Sequence, residues 1–318
     1  MKNFWLKINK PILALAPMAG ITDSAFRQIC KQSGADVVYS EMISVDGLFY
    51  NSKKTLELMR FAKKEQPIVI QLFGSKPKLF SHAVKEVAKL GASGVDINFG
   101  CPAPKIYKNN GGVSLMRDLN LCYEIVKAAC SAAKIPVSIK IRTGINFQQG
   151  KVTAVDLIKK IKDLPVSAVM IHGRSYEQGF SGEIDLAMIK KVKQIFPGLV
   201  LGNGGIDTPA KAEEMLKKTG VDGLGLAQGV LGKPWLFKQI KDYLAKGQYQ
   251  EITAKELKKI IIAHSQLMSK LKGQQGILEM RKHLAWYVRG FEQASLIRQK
   301  LIKVTTLKQI SEILKNDL

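Results

Sequence analysis

The sequence predicts an α/β chain: a TIM (β/α)8 barrel followed by a small all-helical C-terminal domain. Three observations predict it. Short apolar runs alternate with longer amphipathic stretches between residues 12 and 226, at the spacing of roughly 25–40 residues expected of βα units. Polar and charged residues gather just past the ends of most of those runs, on the face where such barrels place their chemistry. Beyond residue 246 the strand pattern stops and only helical periodicity continues.

The predicted strands, in order, are Ile12–Ala16, Val37–Ser40, Ile68–Leu72, Val95–Phe99, Val137–Ile141, Ala168–Ile171, Leu199–Gly202 and Gly223–Leu226. The helices between them carry start signals. Thr208-Pro209 is a cap followed by proline at the first helical position, and Ser75-Lys76-Pro77 is similar. A doubly wound dinucleotide-binding sheet is disfavoured, because Pro17-Met18-Ala19-Gly20 after the first strand is not a Gly-x-Gly-x-x-Gly turn. Gly247-Gln248-Tyr249-Gln250 reads as a linker, which divides the chain into 1–245 and 246–318. Thr253-Ala254-Lys255-Glu256 is a capping box opening a helix. Ile277, Met280, Leu284, Val288 and Phe291 form one apolar helical stripe.

Bulk properties narrow the class. With 318 residues, 46% of them hydrophobic, the chain is expected to be a soluble globular protein with a sizeable core. No run of 18 or more apolar residues is present, so no membrane span is expected. Met1 to Lys10 shows no secretory signal pattern. The four cysteines, Cys30, Cys101, Cys122 and Cys130, lack metal-ligand spacing. They suit a reducing cytoplasm, and no metal is expected. The net charge of +23 favours a polyanionic partner, nucleic acid or an anionic membrane surface. The bland alternative is a lysine-rich organism whose proteins are all basic.

Candidate chemistry lies at the strand ends. The fourth strand stops at Gly100, and Cys101 follows in a loop stiffened by Pro102 and Pro104. Asn98 closes the same strand. Gln71 lies in the third, Lys140 and Arg142 in the fifth, His172 and Arg174 after the sixth, and Asn203-Gly204-Gly205 after the seventh. Such groups would cost desolvation energy unless each met a partner or ligand. Taken alone, Gly204-Gly205 is also consistent with a simple tight turn.

Eight strings in order resemble the tRNA-dihydrouridine synthase family of flavin enzymes. They are Ala16–Asp23, Ser40–Met42, Gln71–Gly74, Asp96–Lys105, Lys140–Gly144, Ile171–Arg174, Asn203–Ile206 and Pro234–Phe237. They span nearly the whole barrel. Arg281 to Tyr287 looks like the helical domain of the bacterial B-type subgroup.

The resemblance implies FMN across the barrel mouth, with the backbone of Pro17, Met18 and Ala19 against the isoalloxazine ring. Gln71 would meet its pyrimidine edge. Lys140 would stand by its electron-rich side and His172 would add a contact. Asn203, Gly204 and Gly205 would present amides to the phosphate. Cys101 is the implied general acid: hydride goes to C6 of a uracil ring and the thiol protonates C5. A thiol pKa of about 8.5 suits that task at neutral pH. NADPH is the implied electron donor and tRNA the implied substrate, its D-loop uridine reaching the barrel mouth either because the folded elbow opens or because the base flips out.

Asn98 would bond the uracil edge. Lys105, Arg142 and Arg174 would meet substrate or phosphate, although each also reads as an ordinary solvated charge. The sequence departs from the family after the eighth strand. There Ala227-Gln228 replaces the usual Gly-Arg, removing a bidentate phosphate partner and leaving backbone amides or Lys233 in its place.

Lys282, Trp286 and Arg289 stand at i, i+4 and i+7 in the C-terminal region. Lys282 and Arg289 are candidate RNA-phosphate contacts, with Trp286 either stacking on a base or packing on the barrel. Two other functions fit parts of the sequence: an FMN barrel that reduces a free pyrimidine-like metabolite, and a flavin-free RNA-binding factor. A monomer is expected.

Overall fold

The computed structural model describes residues 3–148, 150–291 and 293–317. Among the described residues ten strands form in chain order: β1 (Ile12–Leu15), β2 (Val37–Ser44), β3 (Ile68–Phe73), β4 (Gly94–Phe99), β5 (Val137–Arg142), β6 (Gly144–Phe147), β7 (Gly150–Thr153), β8 (Ala168–His172), β9 (Leu199–Asn203) and β10 (Gly223–Leu226). Eight of them close into a parallel barrel in the order β1-β10-β9-β8-β5-β4-β3-β2. β6 and β7 form a separate antiparallel hairpin at the mouth.

The eight barrel strands fall where the apolar runs predicted them. Residues such as Val95, Ile97, Ile139, Ile141, Val169 and Ile171 are fully buried, as strands covered by helices on one face and barrel filling on the other must be. Trp5, on the 3-10 helix Phe4–Lys7, packs with Ile12, Val37, Val69, Ala168 and Leu199 in an interior cluster.

Register carries the polar residues to one end. Gln71 lies opposite Asp96, Asn98 opposite Lys140, Arg142 opposite His172, and His172 opposite Asn203. The side chains singled out from separate segments therefore stand side by side around the C-terminal rim.

Two elements differ from expectation. β2 runs on to Ser44, with a register break between Tyr39 and Met42. The sequence carries no strand signal for the hairpin, since Phe147 is the one large apolar residue between Ile145 and Val152.

After the helix Leu236–Lys246, closed by Gly247, comes the long helix Ala254–Tyr287, followed by Ala294–Leu301 and Leu307–Asp317. Thr253 and Glu256 form the expected capping box. The long helix breaks at Gly273 (φ 57, ψ −138). Leu257, Ile261, Met280, Leu284, Ile297 and Ile310 make a core of their own, which reaches the barrel through Ala25 on the helix Ser24–Gln32. Ile277, Met280, Leu284 and Val288 are buried as the stripe predicted, but Phe291 is exposed because the helix ends at Tyr287. No helix among the described residues is long and apolar enough to cross a membrane.

Candidate active site

Cys101 follows β4 and is held from both sides. Its N–H donates to Asn98 Oδ1 at 2.8 Å, and Gly100 N–H donates to the same oxygen at 3.0 Å. Its carbonyl accepts from Val113 N–H at 3.1 Å. Gly112 fits beneath it with φ +62; a Cβ there would lie 2.6 Å from the Cys101 carbonyl oxygen.

Asn98 is itself fixed by a buried relay. Its Nδ2 donates to Gln71 Oε1 at 2.9 Å, and Gln71 Nε2 donates to Asp96 Oδ2 at 2.7 Å. Asp96 Oδ1 accepts from Ser138 Oγ at 2.6 Å. Burial pushes the Asp96 carboxyl up to about 6, although the Gln71 and Ser138 bonds oppose that. The relay ties three strands to the loop that carries the thiol, and a satisfied buried network of this kind specifies one geometry. It also engages both ends of the Gln71 amide.

Cations surround the thiol. Lys140 Nζ donates to Asn203 Oδ1 at 3.0 Å, and Asn203 Nδ2 donates to the Gly225 carbonyl at 2.7 Å. Burial, then the neighbouring Arg142, lowers the lysine to about 8. Burial raises the Cys101 thiol, against the lowering pull of a backbone bond at Ala103 and of Lys140 and Arg142. The thiol is therefore protonated at neutral pH. Burial, reinforced by Lys140, Arg142 and Arg174, lowers His172 to about 2, so its ring is neutral.

The remaining residues divide into those built into the mouth and those at its edge. Arg142 is buried and spends its donors on backbone: Nε to Gly100 at 2.9 Å, Nη1 to Ser175 and Gly179 at 2.8 Å each. It is a tie between loops. Arg174 is half-buried and donates through Nε to the Gly182 carbonyl at 2.8 Å. Lys105 is exposed on the short helix Pro104–Lys108.

Pro17 and Met18 are half-buried after β1, and Ala19 is exposed beside them. Gly204 and Gly205 take φ of +110 and +70; a Cβ on Gly204 would lie 2.6 Å from His172 Cδ2. Ala227 and Gln228 follow β10, and Gln228 is exposed.

In the C-terminal region, Lys282 does not point free into solvent: its Nζ donates to the Gly20 carbonyl. Trp286 packs edge-on to His283, ring centres 5.2 Å apart. Arg289 is exposed and lies beyond the end of the helix, so the three residues do not share one helical face.

Sequence reasoning assigned no role to Asp96, Ser138 or Glu41. A carboxylate in the middle of the apolar string Gly94–Phe99 was the available signal for the first. Among the described residues no cluster of His, Cys, Asp and Glu could hold a metal ion.

The profile of the Dihydrouridine synthase (Dus) family matches residues 14–318. The chain belongs to that family. It is 34% identical over 298 residues to tRNA-dihydrouridine synthase B of Xanthomonas campestris pv. campestris, covering 93% of this chain and 89% of that protein. It is 35% identical over 299 residues to the protein of the same name from Vibrio parahaemolyticus, covering 93% and 91%. Among solved structures, a morphinone reductase variant in complex with tetrahydroNAD superposes with a TM-score of 0.50 at 13% identity, covering 72% of this chain and 86% of that one. That likeness shows the barrel fold alone.

Proposed function

We propose that this chain is an FMN-dependent tRNA-dihydrouridine synthase that reduces the C5=C6 bond of a D-loop uridine in tRNA, with NADPH as electron donor. The observation that carries this reading is the thiol-bearing loop of Cys101, fixed by Asn98 on the same rim as Lys140, in a chain of this family.

The rim fits a flavin phosphate and ring. Gly204 and Gly205 take positive φ, at +110 and +70, a conformation in which main-chain amides at Asn203, Gly204 and Gly205 can turn toward an anion. Ala227 and Gln228 offer backbone from the adjacent loop. Lys140, half-buried and bonded through Nζ to Asn203 Oδ1, would supply the cation. Pro17, Met18 and Ala19 line the opposite side, and His172 adds a neutral ring.

When bound, FMN supplies hydride to C6 of the uracil ring. Charge then builds on C5 and the adjoining carbonyl. Cys101 Sγ–H gives its proton to C5 and regains one from water. Asn98 would meet the uracil edge by turning one Nδ2–H away from Met42 Sδ, which it reaches at 3.0 Å. Arg142 ties together the loops at Gly100, Ser175 and Gly179, while Arg174 and Lys105 would meet RNA phosphates. Residues 246–318, with Arg289 exposed, form a basic helical surface for the rest of the tRNA. We read the protein as a cytoplasmic monomer.

Incubation with FMN, NADPH and unmodified tRNA transcript tests this. The expected product is dihydrouridine in the D-loop, with free uracil and uridine untouched. Reduction of free pyrimidines without any dihydrouridine in tRNA contradicts it.

A further inference from the structure

The loop that follows β1 is gripped by the C-terminal helices. It turns tightly: the Met18 carbonyl accepts from Ile21 N–H at 3.1 Å and Thr22 N–H at 3.0 Å. At the tip, Gly20 is held at both of its polar atoms. Its N–H donates to Glu41 Oε2, and its carbonyl accepts from Lys282 Nζ. Three residues on, Asp23 caps the helix Ser24–Gln32 and pairs with Lys272 at 2.7 Å; Lys272 also reaches Glu279 at 2.6 Å.

Two features of the fold serve these contacts. Glu41 sits at the register break of β2, between Tyr39 and Met42, and its carboxylate reaches across to the β1 loop. Lys272 lies next to the helix break at Gly273, and Lys282 lies on the helical segment beyond it. The two lysines therefore meet one loop from two segments of a bent helix. Hydrogen bonds to a charged group are roughly twice as strong as neutral ones, and here two of opposite sign act on a single exposed glycine.

We propose that Glu41 and Lys282 are positioning residues that set the Pro17–Ala19 backbone for the flavin, so that the C-terminal helices contribute to cofactor binding. The inference rests on the flavin part of the proposed function. It assigns Lys282 to the barrel rather than to RNA phosphate. Without either contact, the loop must be ordered by the flavin itself, and affinity falls by that ordering cost.

The test uses full-length protein stripped of flavin, as wild type, Lys282→Met, Lys282→Arg and Glu41→Gln. FMN affinity is measured by quenching of flavin fluorescence, together with the visible spectrum of the bound flavin and the affinity for tRNA transcript. Both Lys282→Met and Glu41→Gln are expected to weaken FMN about tenfold and to shift the bound spectrum, with Lys282→Arg recovering most of the affinity. Because both side chains act on Gly20, the double variant is expected to lose less than the two single losses multiplied. Unchanged FMN affinity and spectrum, with tRNA binding weakened in Lys282→Met alone, would overturn the proposal and return Lys282 to the RNA. A wild-type protein that binds no FMN would instead remove the function on which the proposal rests.

Discussion

Cys101 depends on residues that never touch its sulfur. The relay from Ser138 through Asp96, Gln71 and Asn98 fixes its backbone N–H, and Gly112 makes room for its carbonyl. Gly112→Ala would place a methyl carbon against that carbonyl at a φ that L-residues rarely adopt. It is expected to destabilise the fold by about 1–3 kcal/mol and to lower the reduction rate at least about tenfold, read by denaturant melts and single-turnover kinetics.

Lys140 gives a second prediction. Its ammonium, lowered to about 8 by burial, is lost as pH rises through that value. The reduction step is expected to slow above about pH 8 in a pH–rate profile and to retain that limb when Cys101 is serine. An unchanged rate up to pH 10 would rule out a role for the lysine's charge.

Cys101, Asn98, Lys140 and His172 were legible because each is a polar group at the end of an apolar run. The bonds between them were not, because strand register decides which distant residues become neighbours.

The barrel strands were legible as elements for a simple reason: both faces are buried, so each reads as a continuous apolar run. The β6–β7 hairpin gives the core only Ile145 and, in part, its partner Val152, too few residues to make an apolar run. The break at Gly273 was also hidden, since the helical pattern continues on both sides and one glycine among Lys272, Gln274 and Gln275 signals little. Its backbone (φ 57, ψ −138) strains any other residue. Gly273→Ala is expected to cost about 1–3 kcal/mol, measured by urea unfolding. A neutral or stabilising result would mean that the helix runs straight without penalty, and would separate Lys272 from Asp23.

Across the molecule, the barrel and the C-terminal helices meet over a buried aromatic group. Phe26 stacks on His264 with ring centres 5.7 Å apart, and His264 meets His283 at 4.6 Å. His264 Nδ1 is 3.1 Å from Tyr287 Oη. Among the described residues, His264 Nε2 and both nitrogens of His283 find no hydrogen-bond partner. Burial holds both rings neutral: His264 falls to about 4, with Asp23 opposing the shift, and His283 is pushed well below the usual histidine range, with His264 adding to it.

Unfolding frees these rings to take up protons below about pH 6.5. Their depressed values therefore stabilise the fold above that pH, and the contribution is lost as pH falls from about 6.5 toward 4. His264 alone accounts for about 3 kcal/mol over that range. Urea melts at pH 7 and pH 5 are expected to show the loss, and His283→Phe is expected to remove its own share and leave that of His264.

The net charge of +23 pointed to a polyanion from composition alone. The attachment of the helices to the β1 loop is a matter of three-dimensional contact and left no sequence pattern.

The most direct measurement is the dihydrouridine content of a transcribed, unmodified tRNA after incubation with FMN and NADPH, comparing wild type with Cys101→Ala. The account predicts dihydrouridine from the wild type and at least about a hundredfold less from the variant, with flavin still bound and still reduced by NADPH. Equal product from both proteins would contradict it, by showing that the proton reaches C5 from somewhere other than Cys101.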